Sequence, residues 1–193
     1  MPEKYRGVKF EVTFLDKNPP EHNNLTYLLL WARKFAELGF AKKNNGNLSF
    51  RTVDGCIITG AGKNLANIKR DEFVEVVGFD ISGRKPKVMC KGKVKPSSES
   101  IMHLAIYDRR PDVNAILHGH SDSILKAGEK LGIPMTEKEK PYGTVALVKE
   151  IFKVLEKHKF ILLKNHGFLS LGRTIDEAGS IALLVYKKVL EKH

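Results

Sequence analysis

Three histidines occupy positions from which their imidazoles could bind one metal ion. His118 and His120 follow the apolar run at 113–117, and residues two apart on a strand point to the same face. His166 follows a second apolar run at 160–163, where a strand would end in a turn. Three imidazoles that leave coordination positions open are typical of a catalytic zinc site rather than a closed structural one. Zn²⁺ is the expected ion, although imidazole and carboxylate ligands suit Mn, Fe and Co comparably.

A carboxylate and two hydroxyls lie together at a predicted helix start, in Pro96-Ser97-Ser98-Glu99. Free backbone N–H groups and the positive end of the helix dipole favour a bound anion at such a position. Ser97 and Ser98 are therefore candidate ligands of a phosphate. Glu99 is a candidate metal ligand, general base, or both in turn. The ordinary alternative, an N-cap followed by a first-turn acid, stays open.

Two glycine-containing turns are further candidate anion sites. The turn at 59–64 follows the apolar run at 56–58; its glycines would let the backbone approach a ligand, and Lys63 would add positive charge. Its spacing matches neither the Walker loop nor the dinucleotide fingerprint, so we expect no nucleotide. The second turn spans 45–49. Both segments have the plain alternative of being ordinary turns.

The other histidines and the two cysteines are interpreted as structural. His103 lies on a predicted helix face and is expected to be a hydrogen-bonded core residue. Surface positions are expected for His22, His158 and His193. Cys56 and Cys90 form no CxxC pair and no disulfide framework, which favours packing roles in a reducing compartment.

Composition and charge limit the classes of protein to which the chain can belong. Its 193 residues are 42% hydrophobic, which suits one globular domain over 1–193, with 1–23 as an N-terminal arm. The formal charge of +11 comes from basic residues interleaved with acids, so we predict no nucleic-acid partner. A lysine-rich solvated surface or attraction of a small anion explains the charge instead. No apolar run could span a bilayer and the first residues lack a signal-peptide core, so we predict no membrane association and a cytoplasmic location.

Hydrophobic periodicity predicts helices that alternate with short strands. The predicted helices span 24–38, 96–108, 122–131, 145–157 and 175–192, the last with a capping box of Thr174 and Glu177. The predicted strands span 48–51, 55–59, 72–77 and 87–90, followed by the strand that enters His118 and two strands on either side of His166. Strands bounded by Gly, Asn or Pro favour antiparallel neighbours. We therefore predict an α/β fold, a three-layer α/β/α sandwich with a largely antiparallel central sheet.

Five motifs occur in a fixed order and are specific in combination. They are Gly46-Asn47-Leu48-Ser49, Thr59-Gly60, Pro96-Ser97-Ser98-Glu99, the segment 110–121 that contains His118-Gly119-His120, and Asn165-His166-Gly167. With these motifs the chain resembles the class II aldolase/adducin family over residues 24–190. That family includes fuculose-1-phosphate and rhamnulose-1-phosphate aldolases, ribulose-5-phosphate 4-epimerase and methylthioribulose-1-phosphate dehydratase.

The resemblance implies a homotetramer with fourfold symmetry, whose active sites lie at subunit interfaces and each hold a divalent ion, usually zinc. It implies that His118, His120 and His166 are the metal ligands and that Glu99 is the acid/base. The implied phosphate-binding residues are Asn47, Thr59, Gly60, Ser97 and Ser98. The implied partner is a small phosphorylated sugar substrate.

The reaction that the resemblance implies is retro-aldol cleavage by a metal-dependent lyase. The metal would stabilise the enediolate left when the carbon–carbon bond breaks, and Glu99 would handle the proton on the three-carbon fragment. Two other enzymes stay open, a ketopentose-phosphate epimerase and a methylthioribulose-1-phosphate dehydratase-like enzyme. A non-catalytic, adducin-like oligomeric module is a third alternative.

The sequence departs from the family's pattern in the region that would face the aldehyde product. In the aldolases one tyrosine from the loop before the Val145 helix, and another from a C-terminal tail, help to protonate the aldehyde. Here Tyr142 is displaced along the loop and Glu139 falls at the expected position. The sequence ends at His193, so we expect no tail tyrosine. Metal and phosphate binding are thus predicted more firmly than the reaction itself.

Overall fold

The structure, a computed structural model, describes residues 7–191, which form eight strands and five α-helices. The strands are β1 (Glu11–Asp16), β2 (Asn47–Arg51), β3 (Cys56–Thr59), β4 (Phe73–Asp80), β5 (Lys87–Lys91), β6 (Ala115–Gly119), β7 (Phe160–Leu163) and β8 (Gly167–Gly172). The helices are α1 (Leu25–Glu37), α2 (Ser100–Arg109), α3 (Asp122–Gly128), α4 (Val145–Leu155) and α5 (Ile175–Leu190). Within residues 7–191, no helix is long and apolar enough to cross a membrane.

The strands form one sheet in the order β1-β5-β4-β3-β2-β6-β8-β7. Neighbouring strands are antiparallel except β1 and β5, which run parallel. The predicted α/β class with a largely antiparallel sheet is therefore confirmed. Because β6 lies between β2 and β8, its C-terminal end meets the start of β2 on one side and the start of β8 on the other.

Alternate side chains on β2 and β6 belong to two different apolar clusters. Leu48 and Leu117 pack in a cluster with residues of α1, α3 and α5. Ile116 packs in a second cluster with residues of α2 and α4. Because side chains alternate along a strand, Ser49 and His118 point to the α2 side of the sheet, as Ile116 does. This division is expected when helices cover both faces of a sheet, and the three-layer arrangement itself stays a prediction.

Helix α1 shows how the sequence pattern produces the packing. Leu25, Leu28, Ala32 and Phe35 recur at helical spacing, and all four are buried on one face. Gly39 then adopts a φ of +75°, a left-handed conformation that glycine accepts without strain and that commonly ends a helix. The predicted helix and its predicted end are both confirmed.

The start of α2 was predicted too early. Ser97 is not helical, because its backbone N–H donates to the Thr59 carbonyl, 3.0 Å away, and Pro96 pairs with Gly60 in an isolated bridge. These bonds to the end of β3 hold the segment extended, so the helix begins at Ser100 with Glu99 as its N-cap residue. The two serines and Glu99 therefore stand just before the helix rather than in its first turn.

The ends of the chain differ from prediction in smaller ways. Residues 11–16 of the predicted arm form β1 beside β5. Thr174 caps α5 by accepting a hydrogen bond from the Glu177 backbone N–H at 3.0 Å. The Glu177 carboxylate, however, accepts from the Arg173 N–H and not from Thr174, so the predicted capping box is only half formed. Residues 1–6 of the arm, Lys192 of the predicted last helix and His193 lie outside the described residues.

Candidate active site

The sheet brings the three histidines of the sequence prediction together. His118 is the second-last residue of β6, and Gly119, the last, pairs with Phe168 of β8. The turn between β7 and β8 therefore lies against the end of β6, and this turn contains His166. One ligand atom from each of His118, His120 and His166 lies within 4.8 Å of the other two. The Nε2 atoms of His118 and His120 are 3.0 Å apart.

Backbone conformation at the β7–β8 turn makes this approach possible. Asn165 has a φ of +55°, in the left-handed region that asparagine tolerates better than most residues. A Cβ atom at Gly167 would lie 2.4 Å from the Gly119 carbonyl oxygen and 3.1 Å from the His118 ring. Glycine at this position therefore lets the turn pack directly on the end of β6. His166 lies between Asn165 and Gly167.

The imidazole of His118 is oriented for metal binding. Its Nδ1 lies 2.9 Å from the Phe168 carbonyl oxygen, which can only accept, so Nδ1 carries the proton and Nε2 is free to act as a ligand. Burial, with a smaller contribution from the neighbouring His166, lowers the pKa of His118 to about 3. Burial likewise lowers the pKa of His120 to about 3, with the charges of His118 and His166 acting in the same direction. Neutral imidazoles are the form that binds metal.

Glu99 reaches the histidines from the α2 side. Its Oε2 lies 3.2 Å from His118 Nε2, and its Oε1 lies 3.6 Å from His166 Nε2. The Asn47 side chain donates to Oε2 at 2.8 Å, which fixes the carboxylate in this position. Glu99 is buried, and its Oε1 has no hydrogen-bond partner among the described residues.

A cleft opens beside these groups, and it contains most of the predicted phosphate ligands. Asn47, Gly60, Ser97 and Ser98 all line it, together with Glu99, His120 and His166. Thr59 does not line the cleft; it is buried, and its Oγ1 lies 3.4 Å from the Leu48 N–H. The structure therefore brings together eight of the nine predicted site residues, with His118 directly behind the cleft and Thr59 in the adjoining strand.

Two further predictions about single residues have clear outcomes. Lys63, expected to add charge to the glycine turn, has its Nζ 2.8 Å from a Glu72 carboxylate oxygen, so its charge is already paired. His103 is buried as predicted, and its Nδ1 lies 2.6 Å from the Ser49 hydroxyl. Its Nε2, however, has no hydrogen-bond partner among the described residues.

Residues 27–187 match the sequence profile of the family described as Class II Aldolase and Adducin N-terminal domain. The chain belongs to this family. The resemblance drawn from the five motifs is thereby confirmed.

Relatives within the class II aldolase/adducin family include enzymes that act on sugar phosphates. The 5-methylthioribulose-1-phosphate/5-deoxyribulose-1-phosphate aldolase of Rhodospirillum rubrum is 31% identical, over 80% of this chain and 73% of that protein. The L-fuculose phosphate aldolase of Methanocaldococcus jannaschii is also 31% identical, over 76% of this chain and 82% of its own.

Solved structures of the class II aldolase fold superpose on the same region. An L-fuculose 1-phosphate aldolase has a TM-score of 0.70 at 25% identity and covers 90% of this chain and 88% of its own. A sugar-phosphate aldolase from Thermotoga maritima has a TM-score of 0.73 at 21% identity, covering 86% of this chain and 91% of its own. The second likeness concerns the fold alone.

The donor set at the centre of this class II aldolase-family chain fits a divalent cation. It offers three imidazole nitrogens, of which that of His118 is aimed by a backbone carbonyl. The Glu99 carboxylate adds a buried oxygen, Oε1, which has no hydrogen-bond donor within residues 7–191. Burying a carboxylate is costly unless a positive charge lies close to it, and a cation held by the histidines would be such a charge.

The mouth of the cleft contains residues whose location sequence reasoning had missed. Lys140 lines the cleft together with Glu139 and Tyr142, which had been noted only as departures from the family pattern. Glu139 accepts a hydrogen bond from the Asn165 side chain at 2.9 Å. Asn44 also lines the cleft. Only Asn44 carried a signal of this kind in the sequence, since it precedes the Asn45-Gly46 turn.

Proposed function

We propose that this protein is a metal-dependent aldehyde-lyase that cleaves a small sugar phosphate by a retro-aldol reaction. The observation that carries the proposal is the convergence of His118, His120 and His166, with ligand atoms within 4.8 Å of one another, at a cleft that Glu99 also lines. A non-catalytic module of the same fold would gain nothing from four buried or half-buried polar groups that meet in this way.

The three imidazoles would hold the divalent ion, most simply Zn²⁺. When bound, such an ion supplies positive charge and Lewis acidity, which stabilise the negative charge that carbon–carbon cleavage leaves on the three-carbon fragment. His118 contributes a neutral ring whose Nδ1–H is fixed by the Phe168 carbonyl. The orientation of this ring is thus set before any ligand arrives.

The chain's own residues would bind the substrate phosphate and move one proton. Asn47, Gly60, Ser97 and Ser98 line the cleft, and backbone and hydroxyl donors of this kind suit a phosphate. Thr59 would act from behind the cleft through its neighbour Gly60. Glu99, held by the Asn47 amide at 2.8 Å, would exchange the proton at the carbon that the cleavage leaves electron-rich.

The family relatives support cleavage more than epimerisation or dehydration. Both curated relatives described above are named as aldolases, one of L-fuculose phosphate and one of 5-methylthioribulose- and 5-deoxyribulose-1-phosphate. Ketose 1-phosphates of these kinds give the same three-carbon product, dihydroxyacetone phosphate, and differ in the aldehyde. We therefore propose that this enzyme forms dihydroxyacetone phosphate and that its cleft mouth selects the aldehyde.

Further parts of the proposal concern assembly and location. We propose that the chain is a single domain with the three-layer sandwich of its family and that it works as a homotetramer with active sites at subunit interfaces. A cytoplasmic location stays a prediction from the sequence.

Condensation assays would test the lyase proposal. The full-length protein loaded with Zn²⁺ would be incubated with dihydroxyacetone phosphate and, separately, lactaldehyde, acetaldehyde and methylthioacetaldehyde. We expect a ketose 1-phosphate from at least one aldehyde and no product after chelation of the metal. The His158→Ala variant, altered at an exposed histidine, is the matched control and should keep full activity. If no aldehyde condenses while the zinc stays bound, the lyase proposal is wrong.

A further inference from the structure

A row of polar side chains extends from the candidate site along the interface between β2 and α2. On the strand, Asn47 and Ser49 are two residues apart, which is about 6.7 Å. Along α2, counted from its N-cap residue Glu99, the residues Glu99, His103 and Tyr107 are four residues apart, which is about 6 Å per step. The two spacings nearly match, so the polar side chains of the strand meet those of the helix in register. Asn47 contacts Glu99, and Ser49 contacts both His103 and Tyr107.

The hydrogen atoms in this row can be assigned by counting donors and acceptors. The Tyr107 hydroxyl is buried and needs an acceptor, and the Ser49 oxygen lies 2.7 Å from it. If Tyr107 donates to Ser49, the Ser49 hydroxyl must donate elsewhere, and His103 Nδ1 lies 2.6 Å away. His103 Nδ1 is then an acceptor, so its proton is on Nε2.

This assignment leaves a buried N–H group without a partner. His103 is fully buried, and its Nε2 has no hydrogen-bond partner among the described residues. Two acceptors of the same polar row are also buried and without partners within residues 7–191, namely Asn47 Oδ1 and Glu99 Oε1. Burial lowers the pKa of His103 to about 3, and the nearby Glu99 charge opposes this effect, so the ring is neutral.

We propose that His103 is a positioning residue for the base of the reaction: its Nε2–H, fixed by the Tyr107–Ser49 chain, supports the Glu99 carboxylate through one water molecule. Glu99 precedes His103 by one helical turn, and His103 also donates its backbone N–H to the Glu99 carbonyl at 3.2 Å. The inference rests on the proposed function only in naming Glu99 as the base. Which ring nitrogen of His103 carries the proton does not depend on the reaction that the enzyme performs.

The tautomer can be measured without an activity assay. In the full-length protein labelled with ¹⁵N at histidine, long-range ¹H–¹⁵N correlations identify the ring nitrogen that carries the proton. The His103 signals are those lost in a His103→Asn variant. We expect a neutral ring with the proton on Nε2. A ring protonated on Nδ1 would overturn the proposal, whatever the enzyme's substrate.

Two substitutions separate a positioning role from a packing role. The side-chain amide of His103→Asn can replace Nδ1 as the acceptor for Ser49 but cannot reach the place of Nε2–H. The longer amide of His103→Gln can replace the Nε2–H donor but not the Nδ1 acceptor. A positioning role predicts that Gln preserves function better than Asn, and a role limited to packing on Ser49 predicts the reverse order.

The functional readout is exchange of the C–H proton of dihydroxyacetone phosphate with deuterated solvent. We expect His103→Asn to lower kcat for exchange by about 10- to 100-fold with little change in KM, as is usual for groups that orient a site from behind. We expect His103→Gln to exchange at least about tenfold faster than His103→Asn. Equal loss in both variants, or faster exchange in His103→Asn, would contradict a role through Nε2–H.

Zinc content and the thermal unfolding midpoint are measured for both variants. If neither variant folds, the tautomer of the wild-type protein still decides the inference. If the wild-type protein binds zinc but exchanges no proton, the proposed reaction fails, and the tautomer measurement still tests the arrangement of His103, since a proton on Nδ1 would overturn it.

Discussion

The histidine cluster and the cleft mouth belong to the same cleft, yet they are built differently. His118 is fully buried at the end of a central strand, and its ring is oriented by the Phe168 carbonyl. Glu139 is exposed, lies in a loop, and is held by the Asn165 side chain. The sheet fixes the position of His118 by burial and by a backbone contact, whereas Glu139 is held by a side-chain contact alone. Chemistry common to a family suits the first kind of region, and selection among substrates suits the second.

The largest effect is expected from removing a ligand of the cluster. His118→Ala or His166→Ala should lower turnover by more than about 10⁴-fold, because loss of the metal removes several kcal/mol of transition-state stabilisation. Zinc content and turnover are measured on the same preparation, with His158→Ala as the control. A His166→Ala protein that keeps both its zinc and its activity would show that the three histidines do not bind one catalytic metal ion together.

A smaller but still large effect is expected at Glu99. The Glu99→Gln variant should keep the fold and most of the zinc, because the three imidazoles remain. It should lower proton exchange on dihydroxyacetone phosphate by about 10²- to 10⁴-fold, since the amide cannot act as a base. Solvent exchange followed by NMR measures this directly. Exchange at the wild-type rate would remove Glu99 from the role of base.

Buried histidines should also make the metal-free protein sensitive to acid. The pKa values of His103 and His118 are lowered from 6.5 to about 3 in the folded state, so only the unfolded chain takes up protons between these values. Stability is therefore unaffected above pH 6.5 and falls as the pH drops below it, by about 2 kcal/mol per buried histidine at pH 5.

Urea unfolding of the metal-free protein at pH 7, 6 and 5 measures this loss. The His158→Gln variant, altered at an exposed histidine, is the control and should follow the wild-type curve. A midpoint that does not change between pH 7 and 5 would mean that the histidines are charged or accessible in the folded protein.

The smallest effect is expected at the cleft mouth. Glu139→Ala should leave zinc content unchanged and alter kcat/KM for the sugar phosphate by about fivefold, since it removes the hydrogen bond from Asn165 and an exposed hydrogen bond is worth about 1 kcal/mol. The change should differ among lactaldehyde, acetaldehyde and methylthioacetaldehyde, because the loop is proposed to face the aldehyde. An equal change for all three, or a loss of zinc, would place Glu139 with the cluster instead.

The contrast between the regions also explains what the sequence could predict. His118, His120 and His166 were predicted to converge because each follows an apolar run, and apolar runs of this kind are buried strands. Their buried surroundings leave few alternative positions. Helix α1 and its end at Gly39 were predicted for the same reason, since periodic burial and a left-handed glycine are local signals.

Features that depend on distant contacts were not predictable in this way. Ser97 carries a helix-start signal, but its backbone bond to Thr59 in β3 overrides it. The charge of Lys63 is paired with Glu72, which no local pattern indicates. The parallel pairing of β1 with β5 joins residues 11–16 to 87–91, and short edge strands carry little periodicity. In each case tertiary structure decided between options that the local sequence allowed.

The most direct test of the account is an anomalous-scattering experiment at the zinc edge on crystals of the full-length protein grown with Zn²⁺. The account predicts one strong peak per chain, at about 2.0–2.1 Å from a ring nitrogen of each of His118, His120 and His166. A peak bound elsewhere, or zinc-saturated crystals with no peak at these three residues, would contradict the claim that they form a single metal centre.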